Sequence, residues 1–185
     1  MTRSGTFSRH AKFAFIFSAA LSLLSCVAHA QQHPNLGRAL TPEEVQKLDI
    51  TVFPDGRGLP TGSGSVSTGA AVYAQKCQAC HGQQGQGGPM ERLTGGVGTL
   101  ATDKAVKTPV SYWPNATTIF DYIRRAMPIN TPQSLTNDEA YALTAYLLSI
   151  DGVVPKEAVL DAKSLPQVKM PNRDGFVRWW PEPKK

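Results

Sequence analysis

The chain has 185 residues, with 19 basic and 14 acidic side chains and a formal net charge of +5. Three of the basic residues, Arg3, Arg9 and Lys12, fall in the first 30 positions with no acid among them, which leaves 16 against 14 from Gln31 onward. A balance that close gives no argument for nucleic acid, and Cys77 and Cys80 are too few and too close to form a disulfide scaffold.

The basic N-terminus leads into an apolar run, FAFIFSAALSLL at 13–24, and then the small-x-small site Ala28-His29-Ala30. This pattern predicts a secretory signal peptide over 1–30 and a periplasmic location, because the run is short for a membrane span. Leu23-Leu24-Ser25-Cys26 also resembles a lipobox, so acylation at Cys26 is an alternative to cleavage after Ala30, and an uncleaved anchor is a third reading.

Residues 31–64 read as an N-terminal arm. A short helix is expected at 42–48, where Thr41 and Glu44 have capping-box spacing. Ile50 to Phe53 is the sole candidate strand, and the Pro- and Gly-rich stretch to Gly64 is turn. Residues 65–152 carry helical periodicity. A first helix runs from 67 or 68 to 76, with Gly69, Tyr73 and Lys76 or Cys77 on one face. The Gly-rich stretch 82–98 is loop. A second helix, 117–126, has the stripe Ile119, Phe120, Ile123 and Ala126 or Met127, and Pro128 stops it. A third, 137–150, starts at the cap Thr136 with Asp138 and Glu139 in its first turn, and buries Leu143, Tyr146, Leu147 and Ile150. Residues 153–185 read as a C-terminal extension outside this helical domain. The fold class is all-α.

Cys77-Gln78-Ala79-Cys80-His81 is a c-type haem attachment motif. Two thiols three residues apart at a helix end can each form a thioether with a vinyl group on one edge of a macrocycle, and the adjacent imidazole of His81 then reaches the iron. A zinc site needs four ligands, and the mature chain offers only these three and His33. A thioredoxin-like pair needs a βαβ context that the pattern lacks. The cofactor is therefore one covalent haem c. For the second axial ligand the candidates are Met127, Met90, Met170 and His33. Met127 is preferred because it precedes a proline, ends an amphipathic helix and lies between the haem motif and the last helix. His/Met ligation raises the reduction potential and saturates the iron, which favours electron transfer over catalysis at the haem. Trp113, in the Tyr112-Trp113-Pro114 segment, is a candidate to pack over the haem, and Arg124 and Arg125 are candidates to pair with its propionates. Trp179-Trp180, in a Pro-rich tail, suggest docking.

The order Gly69, Tyr73, Cys77, Cys80, His81, Met127, Leu143, Tyr146 resembles the class I cytochrome c family over roughly 67–150. Three further stretches are similar to the SoxD-like cytochrome c subunit of bacterial sulfite or sulfane dehydrogenases: DITVFPDGRGLP at 49–60, KTPVSYWPNATTIFDYIRRAMP at 107–128 and KMPNRDGF at 169–176. This resemblance implies the class I fold and a molybdenum-cofactor partner subunit that oxidises a sulfur compound and passes electrons to the haem. A downstream acceptor such as another cytochrome would follow. The chain would then have no turnover alone. Some family members carry a second haem domain, whereas this sequence has one motif. A free-standing soluble carrier, or a haem enzyme acting directly on a sulfur compound, are the alternatives.

Overall fold

A computed structural model describes residues 37–177. The signal segment 1–30, Cys26, His33 and Trp179-Trp180 lie outside the described residues. The chain divides into two units, Met1–Gln46 and Lys47–Lys185. In the described part of the first, Arg38 forms an ion pair with Glu44, and that partner holds the Glu44 carboxyl down at about 2. The helix α1, Pro42–Leu48, begins at the expected cap, where the Glu44 N–H donates to Thr41 Oγ1 and the Thr41 N–H to Glu44 Oε2. It buries no side chain.

The second unit is built around one central helix. Strand β1, Ser63–Ser65, is followed by helix α2, Val66–Lys76, and by the single turn α3, Gln78–His81. Helices α4, Pro109–Tyr112, and α5, Ala116–Ala126, precede α6, Asn137–Ile150, which strand β2, Val159–Asp161, and a short 3-10 turn, Leu165–Gln167, follow. Helix α6 packs against α2, α5, β1 and β2. It buries every residue from Ala140 to Ala145 together with Leu147 and Leu148, so it is apolar nearly all round rather than striped. Phe120 of α5 stacks on Tyr141 of α6 with ring centroids 4.4 Å apart.

Local sequence explains the helix ends. Thr136 and Glu139 cap α6 reciprocally, with N–H to oxygen distances of 3.1 and 2.9 Å. Ser65 accepts from the Thr68 N–H at 3.1 Å and starts α2 at Val66, one or two residues before the expected position. Helix α4 was not expected. Thr108 caps it, Pro109 occupies its first turn, and Ser111 bonds back to the Thr108 N–H at 2.9 Å.

The only strands among the described residues are β1 and β2, which pair antiparallel as Ser63 with Asp161, Gly64 with Leu160 and Ser65 with Val159. The expected strand at Ile50 to Phe53 is instead a turn-bounded extended segment, because Phe53 bonds to Arg57 in its own loop and not to a neighbouring strand. Among the described residues the fold is all-α apart from this two-stranded ribbon. The C-terminal extension also differs from its expected place outside the domain. Leu160, Leu165 and Met170 are 4%, 0% and 4% exposed and belong to the same core as Tyr73, Phe120 and Leu143. No helix among the described residues is long and apolar enough to cross a membrane.

Candidate functional site

Cys77, Cys80 and His81 sit where α2 ends and α3 turns. Helix α2 delivers them because its Gly69 and Tyr73 face α6. Tyr73 is 1% exposed, and its hydroxyl donates to the Gly82 carbonyl at 2.9 Å, which ties the motif's exit to the helix that enters it. Its ring lies 5.3 Å from that of Tyr146. Burial pushes the Tyr73 hydroxyl up to about 12, so it remains a donor.

After His81 the chain folds back onto the motif. The Gly87 N–H donates to His81 O at 2.8 Å and the Met90 N–H to Cys80 O at 2.9 Å. Gly82, at φ +74°, permits this return: a Cβ there would meet the Gly87 carbonyl oxygen at 2.1 Å. The return loop delivers the Glu91 carbonyl oxygen to His81 Nδ1 at 2.8 Å. A carbonyl only accepts, so Nδ1 carries the proton and Nε2 keeps its lone pair for a metal. Nothing in the side-chain pattern foretold Glu91, since its contribution is a backbone oxygen placed by loop geometry.

Both motif cysteines are free thiols. Cys77 is half-buried against the core, and burial pushes its thiol up to about 11, while Cys80 is exposed. Among the described residues no three His, Cys, Asp or Glu side chains converge to hold a metal ion. Two unpaired thiols and one imidazole with a free Nε2, spread along a turn, fit a macrocycle joined at its edge with its iron bound by nitrogen. The residues present therefore fit a covalent haem.

The candidate distal ligands separate by environment. Met90 is bonded through its backbone to the Cys80 carbonyl, within the loop that serves the proximal side. Met170 is 4% exposed and is packed into the hydrophobic core. Met127 is half-buried at the C-terminal cap of α5, where its N–H closes on Ile123 O at 3.0 Å. Trp113 follows α4, packs on the core and meets the half-exposed Tyr122 edge-on at 5.6 Å. Arg124 points toward the arm, donating to Ile50 O at 3.5 Å. It lines a polar cavity of about 120 Å³ together with Ile50, Gln133, Leu135 and Asn137. Arg125 pairs with Asp121 at 2.8 Å.

Residues 66–151 match the cytochrome c family. Among solved structures, the chain is similar to the crystal structure of the sulfane dehydrogenase SoxCD from Paracoccus pantotrophus. That match has 43% identity and a TM-score of 0.72, and it covers 78% of this chain and 72% of the other. Comparison with curated proteins returned no match.

Proposed function

The chain belongs to the class I cytochrome c family, SoxD-like in type, and on that premise we propose that it is the electron-accepting subunit of a periplasmic dehydrogenase that oxidises a sulfur compound. The observation that carries this reading is the 43% identity to a sulfane dehydrogenase structure over 78% of the chain, well beyond the cytochrome domain alone. The partner is a subunit with a molybdenum cofactor, and the chain carries one haem.

Haem c, when bound, supplies a reversible one-electron couple. The chain's own residues hold and tune it. Cys77 and Cys80 would hold it covalently by thioethers, and His81 would offer Nε2 to its iron. The Glu91 carbonyl, by accepting from Nδ1–H, sets the tautomer and orients the imidazole. Tyr73 stiffens the turn beneath it through the Gly82 carbonyl. Met127, half-buried at the end of α5, would offer a thioether to the iron, for which its environment speaks more than those of Met90 and Met170. Trp113 and Tyr122 form a half-exposed aromatic pair on the α4–α5 side. Substrate oxidation is assigned to the partner on the strength of the likeness to a dehydrogenase structure.

Two measurements test this. Replacing Cys77 and Cys80 by Ala should abolish haem staining on denaturing gels, and retained staining would refute attachment through these two cysteines. Purification from the native host, with metal analysis, should yield molybdenum in constant ratio to this haem. A haem protein that purifies alone and free of molybdenum under gentle conditions would favour a free-standing carrier.

A further inference from the structure

Two adjacent guanidinium groups near the end of α5 converge on one backbone oxygen. Arg124 Nη1 donates to Ile50 O at 3.5 Å, and Arg125 Nη2 donates to the same atom at 3.4 Å. Arg125 is held in turn by Asp121, at 2.8 and 3.2 Å. Beside Ile50, Asp49 Oδ1 accepts the Thr51 N–H at 3.0 Å, a local turn that presents the carbonyl, and the Asp49 carboxylate interacts with Arg125 by charge. Both bonds to Ile50 are long, but both donors are ionised.

The rest of this segment is fixed to α6. Pro60 O accepts from the Tyr141 hydroxyl at 2.8 Å, and Thr61 O from Asn137 Nδ2 at 3.2 Å. The Ser63 N–H donates to Asp138 Oδ1 at 2.8 Å. Between these anchors and Ile50 the loop is closed tightly on itself: a Cβ on Gly58, at φ +83°, would meet the Thr51 carbonyl oxygen at 1.9 Å. The segment from Asp49 to Ser63 is thus a strap, anchored on the start of α6 and reaching the last turn of α5. Arg125 and Arg124 are two and three residues before Met127. The final turn of a helix has carbonyls without intrahelical partners and is where fraying begins. Loosening it would carry Met127 with it.

We propose that Ile50 braces the distal ligand: through its carbonyl, Arg124 and Arg125 act as positioning residues that hold Met127 against exchange with small ligands. This rests on the reading of Met127 as the axial ligand. The strap explains why the resemblance to a dehydrogenase cytochrome includes 49–60 although that stretch precedes the cytochrome domain. A merely stabilising role would shift unfolding without shifting ligand exchange, and the test separates these.

The experiment uses the mature holoprotein and titrates its ferric form with imidazole, following the Soret shift and the iron–thioether charge-transfer band. The wild type should show the band. The double variant Arg124→Gln/Arg125→Gln, and a chain beginning at Thr51, should each bind imidazole about tenfold more tightly, a change of ~1.4 kcal/mol. Arg125→Lys should fall between. Truncation before Thr51 removes no buried residue among the described residues, so it decides the matter even if the double variant does not fold. Wild-type imidazole affinity in the truncated chain would overturn the brace while leaving the ligand in place. Absence of the charge-transfer band from the wild type would overturn the Met127 assignment and the brace with it.

Discussion

A Cβ built on Gly69 would lie 1.9 Å from the carbonyl oxygen of Ala142, so α2 and α6 cross with backbone against backbone at this point. The neighbouring Gly64 shows the same closeness, with a Cβ position 2.1 Å from Ala142 N. The crossing sets the direction of α2, and α2 places the haem motif at its end. Gly69→Ala is expected to destabilise the holoprotein by about 1–3 kcal/mol through overpacking, and Gly69→Val to prevent accumulation of folded protein. Denaturant midpoints check this; an unchanged midpoint in Gly69→Ala would show that the helices can separate freely.

Lys76, at the end of α2, bonds Glu139 in the first turn of α6 at 2.5 Å. That bond, with the Thr136 N–H and against the opposing effect of burial, holds the Glu139 carboxyl below its ordinary value of 4.5. A folded-state value below the unfolded one contributes stability that is present above pH 4.5 and is lost as pH falls through the folded value. Glu139→Gln keeps the capping geometry and removes the charge. It should cost at most about 1 kcal/mol at pH 7, since the pair is partly exposed, and the difference from wild type should vanish in acid. A cost that persists undiminished at pH 2 would assign it to the cap instead.

Much of the fold could be read from the sequence where local signals agree. The Thr136–Glu139 box and the apolar run after it place α6 to the residue, and Pro128 marks the end of α5. The haem motif is legible because its chemistry depends on spacing alone. What escaped depends on contacts remote in sequence. Ser63 to Ser65 has no strand signature, since Gly64 is there to approach Ala142, and its pairing with 159–161 follows from packing on α6. The extension read as peripheral because Leu160, Leu165 and Met170 are spaced without helical or strand period, yet each fills the core from an irregular segment. Helix α4 is a single turn, too short for periodicity to show. Glu91 serves His81 by a backbone oxygen, which every residue type has.

The buried extension separates two truncations. A chain ending at Val177 keeps Leu165, Met170 and the Asn172 Nδ2 bond to Tyr112 O at 2.7 Å, and should fold and hold haem as the full chain does. A chain ending at Leu165 loses the Met170 packing and should be strongly destabilised. Met170→Ala alone should cost about 2–5 kcal/mol. Thermal unfolding of the three proteins checks this, and equal stability of the two truncations would show that 166–177 does not support the core.

Thr117 Oγ1 is the one buried side-chain oxygen or nitrogen without a hydrogen-bond partner among the described residues. A buried, unpaired hydroxyl is a cost that an isosteric methyl removes. Thr117→Val is therefore expected to leave stability unchanged or raise it by about 1 kcal/mol in the holoprotein. Clear destabilisation, measured by denaturant unfolding, would show that the hydroxyl has a partner in the haem-loaded state.

As the proposed subunit, the chain accepts electrons from a partner and does not itself oxidise the substrate. Rapid mixing of the ferric holoprotein with sulfite or thiosulfate should leave the haem oxidised, and addition of the cognate molybdenum subunit should reduce it within the turnover time of that subunit. Steady-state oxidation of either sulfur compound by the isolated chain, or a haem that stays ferric when partner and substrate are both present, would contradict the account.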